Sequence, residues 1–157
     1  MVSIKFRLNE EIVEVSYHPG VRLLDVLRNQ FGLVGVKEGC GEGECGACAV
    51  LINHKVVNSC ILPLANVNNL EVLTIEGFSK TKQYRIIKDS FAEEGAVQCG
   101  FCTPGMIMAT ESLLYHHPHP TEEEIKIGLS GNLCRCTGYQ MIIKAVKRAS
   151  EAGDGLW

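Results

Sequence analysis

Residues 39–48 read GCGEGECGAC. Three cysteines, Cys40, Cys45 and Cys48, lie among glycines, and Cys60 follows to give C-x4-C-x2-C-x11-C. The first three spacings are those of plant-type ferredoxins, whose four thiolates hold a [2Fe-2S] cluster. Soft anionic sulfur suits iron, and the inorganic sulfides need backbone N–H groups close by. Gly39, Gly41, Gly43 and Gly46, with Ala47, let the backbone approach and turn where side chains would clash. Cys60 returns from the strand after a turn at residues 53–55, NHK, as a fourth ligand must when one loop supplies three. A structural zinc also accepts four cysteines, but such sites usually pair two C-x2-C knuckles and do not require this density of glycine. Residues 41–46, GEGECG, formally match G-x-G-x-x-G. A dinucleotide site would need that motif to follow a strand directly and open a helix. Here cysteines sit in and beside it and the next segment is strand-like, so the nucleotide reading is rejected.

Around this loop the pattern is that of a sheet. Residues 2–8, VSIKFRL, alternate with Val2, Ile4, Phe6 and Leu8 on one side, and IVEVSY alternates again after a turn at NEE, which predicts a hairpin. RLLDVLRNQFG carries Leu23, Leu24, Leu27 and Phe31 at helical spacing and stops at Gly32. AVLIN, KVVNSC and LEVLTIE read as further short strands. Residues 77–84, GFSKTKQY, are polar without an apolar period and are read as a linker. Beyond them four helices are expected, in RIIKDSFAEEG, TPGMIMATESLLYHH, TEEEIKIGLSG and TGYQMIIKAVKRASEAG. The second has Thr103 and Pro104 at its start. The third opens on the T-x-x-E capping box of Thr121 and Glu124. The expected organisation is α+β, with residues 1–76 as a sheet domain, 77–84 as linker and 85–157 as a helical domain.

The chain as a whole narrows the function class. Its 157 residues suit one domain or two small ones, and 46% hydrophobic residues are enough for a real core. The net charge is −3 and no basic run stands out, so the footprint of a nucleic-acid binder is missing. The N-terminus has no apolar h-region, and no apolar run approaches a membrane span. The cytoplasm is the expected address. Eight cysteines in a reducing compartment argue for metal or redox use rather than four disulfides.

The second four, Cys99, Cys102, Cys134 and Cys136, lie in QCGFCTPG and NLCRC. Each pair just precedes an expected helix, whose free N–H groups and dipole favour thiolates. Two such helices facing one another would gather four thiolates for a second [2Fe-2S] cluster. Taken alone, C-x2-C with C-x-C also suits zinc or a redox pair. The redox pair needs a βαβ context that this half lacks.

GCGEGECGACAV, GAVQCGFCTPGMIM and GLSGNLCRCTGYQMI resemble the iron–sulfur subunits of the molybdenum hydroxylases, the xanthine dehydrogenase and aldehyde oxidoreductase family. The resemblance runs from the first strand to the last helix. It implies an N-terminal β-grasp ferredoxin-like domain followed by an all-α four-helix domain with internal two-fold pseudosymmetry, each with one [2Fe-2S] cluster. It implies a large partner subunit carrying the molybdenum pterin and a medium one carrying FAD, usually as a dimer of heterotrimers. The chain would pass electrons from the pterin through Cys99, Cys102, Cys134 and Cys136, then through Cys40, Cys45, Cys48 and Cys60, toward FAD. Gln98 and Cys136 would lie against the pterin. Purines or other N-heterocycles are the expected substrates of the complex, with no substrate site on this chain. The competing readings are a diffusible two-cluster ferredoxin, which would usually be strongly acidic, and a zinc-stabilised interaction module.

The remaining chemistry-bearing residues read as structural. YHHPHP at 115–120 is expected to be an ordinary loop at a helix end, where histidines suit the dipole. Met106, Met108 and Met141 are placed at helical core positions. EEE at 122–124 is a helix first turn. No nucleophile–base pair and no paired carboxylates emerge.

Overall fold

A computed structural model describes the whole chain, Met1–Trp157. Strands β1 (Val2–Leu8) and β2 (Glu11–Tyr17) form the hairpin, turning at Asn9 and Glu10, both at positive φ. Helix α1 (Leu23–Asn29) follows, then the cysteine loop, β3 (Ala49–Ile52), β4 (Lys55–Asn58) and β5 (Glu71–Leu73). The sheet order is β2-β1-β5-β3-β4, with β1 and β5 parallel and every other pair antiparallel. The second half holds α3 (Lys82–Glu93), α4 (Thr103–His116), α5 (Glu122–Gly128) and α6 (Gln140–Ala152), preceded by one short turn of helix, α2 (Ile75–Phe78). The α+β class and the four later helices stand as the sequence predicts.

Period-two alternation puts Ile4, Phe6 and Leu8 of β1 on one face of the sheet, against Leu23, Leu24, Val26 and Leu27 of α1. Strand β3 differs, because both of its faces are covered. Val50 points into the α1 core, while Ala49 and Leu51 point into the core built by Met106, Ile107, Met108 and Ala109 of α4. That is why AVLI is an unbroken apolar run. Helix α4 has the same explanation. It lies between the sheet and helices α3 and α5, and it is buried from Gly105 through Ser112. A helix enclosed on all sides has no reason to keep a polar face.

One sequence expectation is corrected here. TIE at residues 74–76 leaves the strand, with Ile75 and Glu76 opening α2. Thr74 Oγ1 donates to Glu76 Oε2 at 2.7 Å, and Gly35 N donates to Glu76 Oε1 at 2.7 Å. Residues 77–84 are largely ordered by local bonds and burial: Phe78 is buried in the helical core, and Thr81 caps α3 by accepting from Tyr84 N at 3.1 Å. The polar composition of that segment reflects its exposed positions and its cap. The capping box at Thr121 and Glu124 forms in full.

Candidate metal centres

The loop between α1 and β3 curls so that its own N–H groups face its sulfurs. Gly41, Gly43 and Gly46 sit at φ of +70°, +81° and +72°, a region a side chain rarely takes. With that curl, Glu42 N and Glu44 N donate to Cys40 Sγ at 3.4 and 3.3 Å, and Cys40 N donates to Cys45 Sγ at 3.4 Å. A Cβ on Gly39 would lie 2.8 Å from Cys45 Sγ. Strand β4 holds the loop in place, since Asn58 Nδ2 donates to Gly43 O at 2.7 Å. Ser59 Oγ donates to Cys48 O at 2.7 Å. Cys40 is exposed, while Cys48 and Cys60 are buried. The N–H groups of Glu42, Glu44 and Cys45 bring the Cys40 thiol down to about 6. Burial, followed by the neighbouring Cys48, pushes Cys60 up to about 11.

The second four thiols are held by side chains and helix ends. Cys102 is the N-cap of α4. Cys134 and Cys136 lie further from α6 than the sequence reading placed them, because the N-cap of α6 is Tyr139 at φ +70°. The turn folds Tyr139 back, and its hydroxyl accepts from Cys134 N at 2.8 Å. Thr137 Oγ1 donates to Cys134 Sγ at 3.1 Å. Burial raises the Cys134 thiol, but the Thr137 hydroxyl and N–H, with the Cys136 N–H and Cys102, outweigh it and the net direction is down. Burial takes Cys102 up to about 12, with Cys134 adding to it. Cys136 is raised chiefly by the Cys99 thiol beside it.

Within each block the thiols are neighbours: Cys45 stands beside Cys40, Cys48 beside Cys60 and Cys134 beside Cys102, and the Cys136 and Cys99 sulfurs lie 3.6 Å apart. No three His, Cys, Asp or Glu side chains gather as a single ion would require. A [2Fe-2S] group, with two irons that each take two protein thiolates, fits this arrangement better than one tetrahedral zinc. The four thiols of the second block line one cavity of about 220 Å³, and Cys45 of the first block stands on its wall.

Other predicted residues are accounted for. Gln98 is exposed beside the exposed Cys99, and Arg135 is exposed on the cavity rim. Met106 and Met108 are in the core, but Met141 is 43% exposed, on the outer face of α6. The histidine tract closes α4 without converging: His119 faces Asp154 at 3.3 Å, and Tyr115 stacks on His54 with ring centroids 3.9 Å apart. Sequence reasoning missed Thr137 and Tyr139, although both lie in the CTGY that follows NLCR. It also missed Asn132, which carried no periodic or motif signal.

Comparison with known proteins finds two iron–sulfur domains in the chain. Residues 6–72 match a family described as 2Fe-2S iron-sulfur cluster binding domain, and residues 74–147 one described as [2Fe-2S] binding domain. The chain is 47% identical to the nicotinate dehydrogenase small FeS subunit of Eubacterium barkeri, over 96% of each chain. It is 44% identical to the xanthine dehydrogenase iron-sulfur-binding subunit of Escherichia coli O157:H7, over 92% of each. Among solved structures, quinoline 2-oxidoreductase from Pseudomonas putida 86 superimposes with a TM-score of 0.88 at 37% identity, over 96% of this chain and 94% of that one.

Proposed function

The chain belongs to the iron–sulfur small subunits of the molybdenum hydroxylase family, and on that premise we propose that it carries electrons from a molybdenum pterin on a large partner subunit toward FAD on a medium one. It is a subunit of an oxidoreductase with two [2Fe-2S]-binding domains. Bound, the two groups supply one-electron acceptance and donation. Cys40, Cys45, Cys48 and Cys60 hold the first, within residues 1–76. Cys99, Cys102, Cys134 and Cys136 hold the second, within residues 85–157, and residues 77–84 join the halves. The single observation that carries this reading is the convergence of Cys99, Cys102, Cys134 and Cys136 on one cavity, with Cys45 of the first block on its wall.

The protein's own residues prepare both sites. Backbone N–H groups aimed at Cys40 and the Thr137 hydroxyl aimed at Cys134 stabilise sulfur as thiolate. Cys48 and Cys60 are closed off from water. Around the exposed Cys99 and Cys136, Val97, Phe101 and Leu133 are each more than 40% exposed. That apolar rim supports burial against a partner, with Gln98 and Cys136 facing the pterin, over the diffusible carrier. The complex is a dimer of heterotrimers acting on an N-heterocycle, in keeping with relatives named for nicotinate, xanthine and quinoline. No helix is long and apolar enough to cross a membrane, and the complex works in the cytoplasm. The test is electron paramagnetic resonance of the dithionite-reduced protein, with spins counted per chain. Two distinct [2Fe-2S] signals are expected. A single signal, or a colourless zinc-loaded protein, overturns the reading.

A further inference from the structure

Asn132 is 6% exposed, yet it lies in the loop that carries Cys134. Its Nδ2 donates to Gly46 O at 3.1 Å, and Gly46 directly follows Cys45. One residue on, Leu133 N donates to Cys45 O at 2.9 Å. Two consecutive residues of one cysteine loop thus hold two consecutive carbonyls of the other. Helix α4 closes the junction from the third side: a Cβ on Gly105 would come 2.3 Å from Gly46 O and 3.2 Å from Asn132 Nδ2. A Cβ on Gly46 would come 2.4 Å from Asn132 Nδ2. Nothing larger than hydrogen fits at either glycine, so the loops meet at backbone contact distance.

Of the two bonds, the one from Leu133 is made by the backbone and survives any ordinary side chain at that position. The bond from Asn132 depends on its amide. A buried amide needs a partner, and the one it has belongs to the other block. We propose that Asn132 is a positioning residue that fixes the separation of the two [2Fe-2S] clusters, and so the coupling between them. The inference rests on the two-cluster reading and adds a residue outside both ligand sets. It follows from the junction that changing Asn132 shifts the Cys134 loop against the Cys45 loop without removing any of the eight thiols.

Magnetic coupling between two reduced clusters falls as the inverse cube of their distance, and this separates positioning from mere packing. The experiment compares the native protein with Asn132→Asp, which has the same shape but sets a carboxylate oxygen against Gly46 O. A second variant, Gly105→Ala, pushes on the same contact from α4. Iron content and the two separate resonance signals are measured first, then the splitting each signal shows when both clusters are reduced. The expected result is full iron content with a smaller splitting in both variants, and slower electron passage between the clusters. Native splitting in either variant that retains both clusters overturns the proposal. If Asn132→Asp loses a cluster, Gly105→Ala decides alone. Absence of two signals in the native protein would sink the two-cluster reading instead, so the two failures are distinguishable.

Discussion

Cys40 is served by the peptide N–H groups of its own loop, while Cys134 is served by a threonine hydroxyl, with a tyrosine folded back onto its N–H. The first arrangement is written in backbone geometry. It needs glycines at positive φ at fixed intervals, so its spacing is diagnostic in the sequence alone. The second depends on where α4 and α6 stand in a packed bundle, and C-x-C says little until the helices are placed. Equal numbers of thiols are therefore gathered by two different kinds of constraint.

The largest effects come from removing one thiol in each region. Cys48→Ala should abolish one resonance signal and Cys102→Ala the other, each with about half of the iron lost. Loss of both signals from either variant would show that the halves do not load independently.

The next effect is reactivity. In cluster-free protein at pH 7, alkylation followed by mass spectrometry should find Cys40 labelled orders of magnitude faster than Cys102, because the thiolate is the nucleophile. Lowering the pH through about 6 should suppress the Cys40 reaction as its thiolate is protonated. Cys136 is just as clearly exposed but has a raised thiol. Equal rates at Cys40 and Cys136 would mean that exposure, and not the N–H groups, governs the first block.

Glycines sharpen the contrast further. Gly46→Ala places a Cβ 2.5 Å from Gly131 O at φ +72° and should cost at least about 2 kcal/mol in a denaturant titration. Gly138→Ala, at φ +66° with nothing within 4 Å, should cost only the left-handed strain of about 1 kcal/mol. Thr121→Ala, which opens the capping box of α5, should likewise cost about 1 kcal/mol.

The smallest effect belongs to Glu111, a carboxyl buried in α4 whose Oε2 accepts from Trp157 Nε1 at 2.8 Å. Burial raises it above its ordinary 4.5, and the indole only partly offsets this. The folded state then holds a proton that the unfolded chain releases, so stability falls as pH rises from 4.5 through the raised value. Glu111→Gln should raise the melting temperature slightly at pH 7 and not at all well below pH 4.5.

Much of this fold was legible in the sequence because local chemistry dictated it. The hairpin, α1, the capped α5 and the proline-started α4 all follow from patterns within a few residues. The placing of Ile75 and Glu76 in α2 was not legible, since Glu76 leaves the strand to accept from Gly35, far away in the chain. Tyr139 as the N-cap of α6 was hidden for a similar reason: a tyrosine at positive φ is justified only by the Cys134 N–H it turns back to meet. Met141 looked like core because its neighbours are apolar, yet the face it occupies turns outward. Asn132 was invisible altogether. A buried amide advertises itself only once the carbonyl it bonds is known.

Strand β3 turns Val50 and Ile52 to the ferredoxin-like core and Ala49 and Leu51 to the helical one. The two halves can be told apart along the chain, but they are not interchangeable parts. A graft that cut near residue 76 and supplied a foreign ferredoxin half would leave α4 facing a surface never shaped for it. A lineage that swaps redox modules must carry the outward-facing residues of β3 along with the cysteines, and those small apolar positions are where a chimera succeeds or fails.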